Sequence, residues 1–214
     1  MIEHKTISLA DQVFEHLEKD ILIGKYKRGD ILTESHLSAE LGVSRTPIRE
    51  ALRRLGQEHL IEETGKGSLV LGITEKDLMD IFKVREQLEG MAAAMACKNA
   101  TDEEIQELKN TVELQEFYLT KRDAEQIKTM DNKFHETLYK LCGSMTFYNI
   151  LTPLHNKVQK YRKAAIESKN RAEASVEEHY KIYEAIKDRD ENKASLMAME
   201  HVKNAYRHIR REEK

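Results

Sequence analysis

The glycine residues of this chain are concentrated in its first third. Seven of the nine glycines fall between residues 1 and 72, and only Gly90 and Gly143 come later. Glycine ends helices and forms tight turns, so the first third is predicted to consist of short elements joined by turns. The chain has only two prolines, and its remainder is therefore predicted to form long, uninterrupted helices. We expect a mainly α protein with two domains, over residues 1–72 and 75–214.

Charge and composition exclude several classes of protein. The 35 Lys and Arg residues against 38 Asp and Glu give a net charge of −3, which excludes a broadly basic coat but leaves room for a small basic surface. No window reaches the roughly 18–20 apolar residues of a membrane span, and the N-terminus lacks an apolar signal segment. Cys97 and Cys142 have no zinc-finger spacing, which is typical of the reducing cytosol. We expect a cytoplasmic protein with no membrane partner.

Three short helices are predicted in the first third. Apolar residues at three- and four-residue steps predict an amphipathic helix over residues 8–23. A second helix over residues 34–41 stops at Gly42, and a third begins between Ser44 and Thr46. Two short helices joined by a turn of about four residues that contains glycine are typical of a helix-turn-helix, whose second helix can enter a major groove.

A β-hairpin is predicted directly after the third helix. The segment LIEETGKGSLVL predicts two short strands around Gly65-Lys66-Gly67. A basic, glycine-rich hairpin in this position is typical of a wing. We therefore predict an N-terminal winged helix-turn-helix.

Positive charge in the first third is concentrated on the third helix. Residues 1–72 hold 10 Lys and Arg against 12 Asp and Glu, yet residues 45–54 carry four arginines and one glutamate. The alternative is a three-helix unit with only a structural role. Such a unit does not need this concentration of positive charge. Arginine pairs bidentately with guanine edges, and hydroxyls and helix N-terminal amides bind phosphates. Arg45, Thr46 and Arg49, at the exposed start of the helix, are therefore predicted to contact DNA.

This region resembles a known family. The run LTESHLSAELGVSRTPIREALRRLGQEHLIEETGKGSLV is similar to the N-terminal winged helix of the GntR family of bacterial transcription regulators, and VSRTPIREALRRL is close to that family's most distinctive stretch. The resemblance covers residues 8–71. It implies base or phosphate contacts from two arginines, backbone contacts from the hydroxyls beside them, and a minor-groove approach by the wing tip. The residues concerned are Ser44, Arg45, Thr46, Arg49, Lys66 and Gly67.

Two features of the helices limit this DNA-binding set. Some family members carry arginine in the first short helix where this chain has Ser35 or His36, so no base contact is expected from that helix. Arg53 and Arg54 are interpreted as solvated helix charges rather than base readers.

From Thr74 onward the apolar pattern is helical almost throughout. Thr101 with Glu104 predicts a capping box, and Gly143 predicts a helix stop. Six helices are predicted, near residues 75–98, 101–120, 124–142, 145–168, 171–188 and 190–211. Six antiparallel helices form an all-α bundle, whose interior is a usual place for ligand and metal sites.

Four polar side chains fall on inward faces of this predicted bundle. At about 100° per residue, Asp131 and His135 lie on the apolar side of the third bundle helix. His179 and His201 lie on the apolar sides of the fifth and sixth. A single inward histidine is most often a core residue with a satisfied hydrogen bond. Three histidines and a carboxylate on three helices together predict a metal site, because one divalent cation satisfies all four.

This part of the chain also resembles a known domain. The segments DNKFH, EEHYKIYEAIKDRD and MEHVKNAY are similar to the metal-binding signature of the FCD effector domain, found in the FadR-type branch of GntR regulators. The resemblance implies one divalent ion per chain, zinc or nickel, with positions left for water or an effector. The implied ligands are Asp131, His135, His179 and His201. His155 and His208 also face inward and are interpreted as core residues or as partners of the ligands.

Arg85 is predicted to be a buried charge. It lies in the middle of the apolar face of the first bundle helix, and a buried guanidinium requires an anion. One candidate anion is Glu89, on the next turn. The other is the carboxylate of an effector whose remaining oxygens reach the metal, and the family resemblance, which places Arg in VREQLE, favours it. Arg162 also faces inward and is a second candidate for binding the effector.

Together these features predict a metal-containing transcription regulator. A single winged helix reads too few base pairs for specific affinity, so a homodimer on a palindromic operator in double-stranded DNA is expected. A small carboxylate bound at the metal and Arg85 would alter the two recognition helices, and repression is the expected sign by family analogy. One alternative is a metal-dependent hydrolase, although no companion base is evident. The other is a protein whose metal is purely structural.

Overall fold

The computed structural model describes residues 8–158 and 169–212. The chain divides into two compact units, Met1–Glu75 and Lys76–Lys214. We call the first the winged unit and the second the bundle.

Three helices form the larger part of the winged unit. They are α1 (Leu9–Leu22), α2 (Glu34–Leu41) and α3 (Arg45–Gln57). Helices α1 and α2 each begin at a capping side chain. The Ser8 side chain accepts a hydrogen bond from the N–H of Asp11, and the Thr33 side chain accepts one from the N–H of His36. Helix α2 ends at Gly42, whose φ of 67° lies in the left-handed region that terminates helices.

A small antiparallel sheet completes the winged unit. Its strands are β1 (Ile31–Leu32), β2 (Ile61–Thr64) and β3 (Gly67–Val70), in the order β1-β3-β2. The predicted wing is the hairpin of β2 and β3, in which Thr64 pairs with Gly67 across the turn. Strand β1 was not predicted, because two residues are too few to show an alternating pattern. It is defined by its antiparallel pairing with β3.

Helices α1 and α3 pack against each other in the core of the winged unit. Leu17, Ile48 and Leu55 are fully buried there. Arg54 joins the same two helices: its guanidinium lies 2.5 Å from Asp11 and 4.0 Å above the ring of Phe14. The interpretation of Arg54 as a solvated charge is therefore wrong. Helix α1 supplies both an anion and an aromatic ring for it.

Six helices lie in the described part of the bundle, as predicted. They are α4 (Glu75–Asn99), α5 (Asp102–Lys121), α6 (Ala124–Leu141), α7 (Met145–Lys157), α8 (Lys169–Lys187) and α9 (Glu191–Glu212). The predicted helix over residues 145–168 is seen as α7, and residues 159–168 lie outside the described residues. No helix in the described ranges is both long enough and apolar enough to cross a membrane.

The bundle core is formed by facing helices with buried apolar sides. Helix α5 packs against α6 and α8, and α8 packs against α9. The predicted capping box is present at the start of α5, where Thr101 and Glu104 each accept the other's backbone N–H. Phe134, Leu138 and Ala198 are among the core residues. The same faces carry the inward polar side chains, so the packing of the helices brings those side chains together.

Candidate DNA-binding surface and metal centre

Helix α3 presents its first turn to solvent. Ser44 occupies the cap position without a capping side-chain hydrogen bond, and Arg45, Thr46 and Arg49 are exposed. The first backbone N–H groups of a helix have no intrahelical acceptor, and the helix dipole favours negative charge at that end. This end of α3 therefore combines two arginines, two hydroxyls and free amides on one exposed surface, which suits a phosphate backbone and base edges.

Arg49 is held by a carboxylate from the preceding helix. Its Nε and Nη2 atoms donate to Oε1 and Oε2 of Glu34 at 2.7 and 2.8 Å. Hydrogen bonds from Arg49 lower the pKa of Glu34, so this side chain stays a carboxylate. Glu34 is a residue of this surface that the sequence analysis missed. The spacing of residues 34 and 49 in the sequence does not predict that their side chains come into contact.

The wing lies beside α3. Lys66 is exposed at the turn, and the Thr64 hydroxyl accepts its backbone N–H at 3.3 Å. Gly67 has a φ of 131°, and a Cβ there would lie 2.7 Å from the carbonyl oxygen of Leu32. A groove of about 390 Å³ runs between α3 and the wing, with Arg49 and Gly67 among its lining residues. The six residues predicted to bind DNA therefore lie on α3 and the wing of one unit.

Three buried histidines converge in the bundle. His135 from α6, His179 from α8 and His201 from α9 each place one nitrogen within 4.8 Å of the others. His135 Nε2 lies 3.3 Å from His201 Nε2, and Asp131 Oδ1 lies 3.8 Å from His179 Nε2. All four side chains are buried. The three predicted histidine ligands thus converge, with Asp131 beside His179, and we call these four residues the donor cluster.

Three further polar side chains lie against the Nδ1 atoms of the donor-cluster histidines. His201 Nδ1 lies 2.7 Å from Glu178, and His179 Nδ1 lies 2.8 Å from Gln115. His135 Nδ1 lies 3.2 Å from Glu89. An imidazole whose Nδ1–H donates to such an oxygen exposes the lone pair of Nε2, which is the usual arrangement behind metal-bound histidine. These roles were not predicted from the sequence. The available signals were only that Gln115 and Glu89 fall on buried helix faces and that Glu178 precedes His179.

The donor cluster fits a divalent cation. Two nitrogen ligands at about 2.05 Å from a tetrahedral ion lie about 3.3 Å apart, which matches the spacing of His135 and His201. Without a proton or cation between them, two such lone pairs repel. Burial lowers the pKa of His201 to about 4, although Glu178 opposes this, so the ring is neutral at pH 7. Neutral imidazoles and one carboxylate are ligands that zinc and nickel accept.

A second buried cluster adjoins the first. Arg85 Nε donates to Glu89 at 2.8 Å, the Tyr139 hydroxyl donates to the same oxygen, and Arg85 Nη2 lies 3.3 Å from His155 Nδ1. Burial would raise the pKa of Glu89, but Arg85 and His135 outweigh it and hold that pKa well below its usual range. Glu89, His135 and His155 could also approach one ion. The guanidinium beside them disfavours a cation there, so the donor cluster fits an ion better than this second cluster does.

The remaining predicted residues are placed as follows. The internal salt bridge of Arg85 with Glu89, one of the two predicted alternatives, is present. His155 is buried between Arg85 and Asn132, as a partner of the cluster rather than one of its predicted ligands. Arg162 lies outside the described residues.

Both regions match families of known proteins. Residues 9–70 match bacterial regulatory proteins of the gntR family, and residues 80–204 match the FCD domain. These ranges contain the proposed DNA-binding surface and the whole donor cluster.

Individual relatives are also regulators. The uncharacterized HTH-type transcriptional regulator YdhC of Bacillus subtilis is 29% identical over 93% of this chain and 90% of its own length. The gluconate operon transcriptional repressor of the same organism is 32% identical over 62% of this chain and 55% of its own length. Among solved structures, E. coli McbR/YncC has a TM-score of 0.80 at 25% identity, covering 98% of this chain and all of the other. Since the FCD match alone extends over more than half of the sequence, this chain belongs to the GntR family of bacterial regulatory proteins and carries an FCD domain.

Proposed function

We propose that this transcriptional regulator is a repressor that binds a palindromic operator as a homodimer and is controlled by a small carboxylate at a metal centre. The observation that carries the DNA-binding part is the exposed N-terminal end of α3, which presents two arginines and two hydroxyls and whose Arg49 lines a groove against the wing. Relatives named as repressors of a gluconate operon support the sign of regulation. The relatives are regulators, so we do not propose an enzyme.

The DNA-binding part is tested with an operator selected in vitro from random duplex DNA. Removing a base or phosphate contact costs about 1–3 kcal/mol, so Arg45→Ala with Arg49→Ala should weaken operator binding by at least about 30-fold in fluorescence anisotropy. Lys27→Ala, which removes an exposed charge at the end of the sheet opposite the wing turn, should have little effect. Unchanged affinity and specificity in the double variant would contradict this function.

We place one divalent ion, zinc or nickel, at the donor cluster of each chain. Asp131, His135, His179 and His201 would hold it, and Glu89, Gln115 and Glu178 would keep the imidazoles oriented. A bound ion supplies a positive charge that can accept an effector carboxylate as a further ligand. Elemental analysis of the purified protein is the direct test, and stoichiometric metal retained after both His179→Ala and His201→Ala would refute this assignment.

The effector part rests on the contacts of Arg85. Its guanidinium is already paired with Glu89, which also contacts His135 of the donor cluster. A carboxylate that binds both the metal and Arg85 must therefore take over part of the position of Glu89. Exchange of one carboxylate for another keeps the buried guanidinium neutralised, and it moves α4 relative to α6. A ligand can shift the protein only by its differential affinity for the two arrangements.

Calorimetry with a series of small carboxylates tests this role of Arg85. Arg85→Lys keeps the charge but loses the two-pronged geometry, so we expect it to weaken binding of the best carboxylate by about 10-fold or more. The matched control is Lys83→Arg, which alters an exposed cation on the same helix. Undiminished binding by Arg85→Lys and by Arg85→Ala would leave Arg85 as a structural residue.

The homodimer is supported by a half-exposed apolar stripe on α4. Its members recur at four- and three-residue steps, as in the seam of a coiled coil: Ile81, Val84, Leu88, Met91 and Met95. Val84 is 45% exposed and Met91 is 52% exposed. A repeated apolar seam on one helix can pair with its own copy about a two-fold axis, and such a pair would present two wings to a palindrome.

A further inference from the structure

The contact between Arg49 and Glu34 joins the two helices of the helix-turn-helix. Glu34 is the first residue of α2, directly after the Thr33 cap, so its backbone position is fixed by the start of that helix. Arg49 lies on the first turns of α3, and its side chain is 70% exposed although both of its contacts with Glu34 are shorter than 3 Å. The guanidinium is thus anchored on one edge and open to solvent on the other.

The geometry of the pair determines which edge of Arg49 is open. A guanidinium has five N–H donors, and Glu34 uses the one on Nε and one of the two on Nη2. The outer edge, with one N–H from Nη1 and one from Nη2, still points away from the carboxylate. Two parallel donors of this kind match the O6 and N7 acceptors of guanine in the major groove.

The charge of the pair also favours contact with a base over contact with a phosphate. Glu34 neutralises Arg49, so the pair attracts phosphate less than a free arginine does. Hydrogen bonds from Arg49 lower the pKa of Glu34, and the pair therefore stays ionised at neutral pH. Anchoring also orders a long side chain before DNA arrives, which reduces the entropy lost on binding.

We propose that Glu34 is a positioning residue that directs the outer edge of Arg49 to a guanine and thereby sets specificity at one base pair of each half-site. This inference rests on the proposed DNA-binding function and adds a specificity residue to it. Glu34 itself touches no base in this arrangement. Its role is to keep Arg49 from binding phosphates without regard to sequence.

The experiment uses the full-length protein and the operator that it selects from random DNA. Affinities of the wild type and of Arg49→Ala for each single-base variant of that operator first identify the base pair that Arg49 reads. Glu34→Gln should then reduce the preference for guanine at that base pair by about 5- to 150-fold, the range expected for one bidentate contact. Its binding to nonspecific DNA should be unchanged or tighter, with a steeper salt dependence, because the variant gains net positive charge.

Two further variants separate positioning from charge. Glu15→Gln removes an exposed carboxylate from α1 of the same unit and should keep the guanine preference. Arg49→Lys keeps the charge but cannot make two parallel contacts, and it should lose the same preference as Glu34→Gln. Thermal melting by circular dichroism checks that each variant is folded.

Three results would overturn the inference. If Glu34→Gln keeps the guanine preference, Glu34 has no positioning role. If it alters a base pair that Arg49→Ala leaves unchanged, Glu34 reads a base itself. A wild-type protein that selects no DNA sequence would refute the proposed function as well, so the two failures can be told apart.

Discussion

At the scale of single residues, Glu178 joins three polar side chains beside the donor cluster. It accepts two hydrogen bonds from Arg171 at 2.9 and 2.7 Å, one from Asn204 at 2.9 Å, and it lies 2.7 Å from His201. Burial would raise the pKa of Glu178, but the hydrogen bonds of His201 and Arg171 lower it to about 2. A carboxylate held in this way fixes the orientation of His201 and increases its basicity toward a metal.

We therefore predict that Glu178→Gln lowers zinc affinity by about 10- to 100-fold, the usual effect of losing an outer partner of a ligand. Competition with a chelating dye at pH 7 measures this. Glu177→Gln is the control, because Glu177 is the exposed neighbour of Glu178 in the sequence. This substitution removes the same charge. Equal affinities for the two variants would mean that Glu178 only supports the fold.

The inward direction of the ligands could be predicted from the sequence, whereas the side chains that contact them could not. Asp131 and His135 recur with the apolar period of their own helix, so their inward direction could be predicted from one segment. Gln115 and Glu89 act through helices that are neighbours only after folding. Their partnership depends on how α4 and α5 pack against α6 and α8, and no single segment contains that information.

At the scale of elements, the wing depends on a strand that the sequence did not reveal. Strand β3 lies between β1 and β2, so the hairpin is bound along both edges of its central strand. Gly67 is the point of closest approach, where its α-carbon faces the carbonyl of Leu32 in β1. The hairpin could be predicted from its turn and alternation, whereas its attachment to β1 follows from tertiary pairing.

Gly67→Ala should destabilise the wing by about 1–3 kcal/mol, because the backbone is strained for an L-residue and the new Cβ would clash with Leu32. Hydrogen exchange of peptides covering β2 and β3 measures the local loss. Gly65→Ala is the matched control in the same turn. A Cβ at Gly65 meets no heavy atom within 4 Å, and its φ is not positive, so that change should be nearly neutral. Equal protection in both variants would contradict the strain argument.

On the scale of the whole molecule, the apolar stripe of α4 is the feature that would join two chains. Val84 and Met91 of the stripe are exposed and lie away from the side of α4 on which Gly90 approaches Met199 of α9, whereas Leu88 and Met95 also pack against the bundle core. Helix α4 therefore has one side in its own core and another side with large apolar groups in solvent. Periodicity alone predicts a wide apolar arc on this helix and does not tell which part of the arc the bundle buries.

Val84→Glu with Met91→Glu should convert the proposed dimer to a monomer in analytical ultracentrifugation, since two charges would be buried without partners in the seam. Operator affinity should fall as well, because two half-sites would no longer be read together. Leu196→Glu is the control, since Leu196 is 53% exposed on α9 and away from the stripe. A double variant that sediments as the wild type does would exclude this surface as the dimer contact.

The composition of the donor cluster has a consequence for the response of this regulator to oxidants. The cluster contains nitrogen and oxygen ligands and no sulfur. Cys97 and Cys142 are buried elsewhere in the core, and burial raises the pKa of Cys97 to about 11, so both remain unreactive thiols. If the proposed ion binds there, oxidation of cysteine would therefore remove none of its ligands, and metal binding would not depend on thiol chemistry.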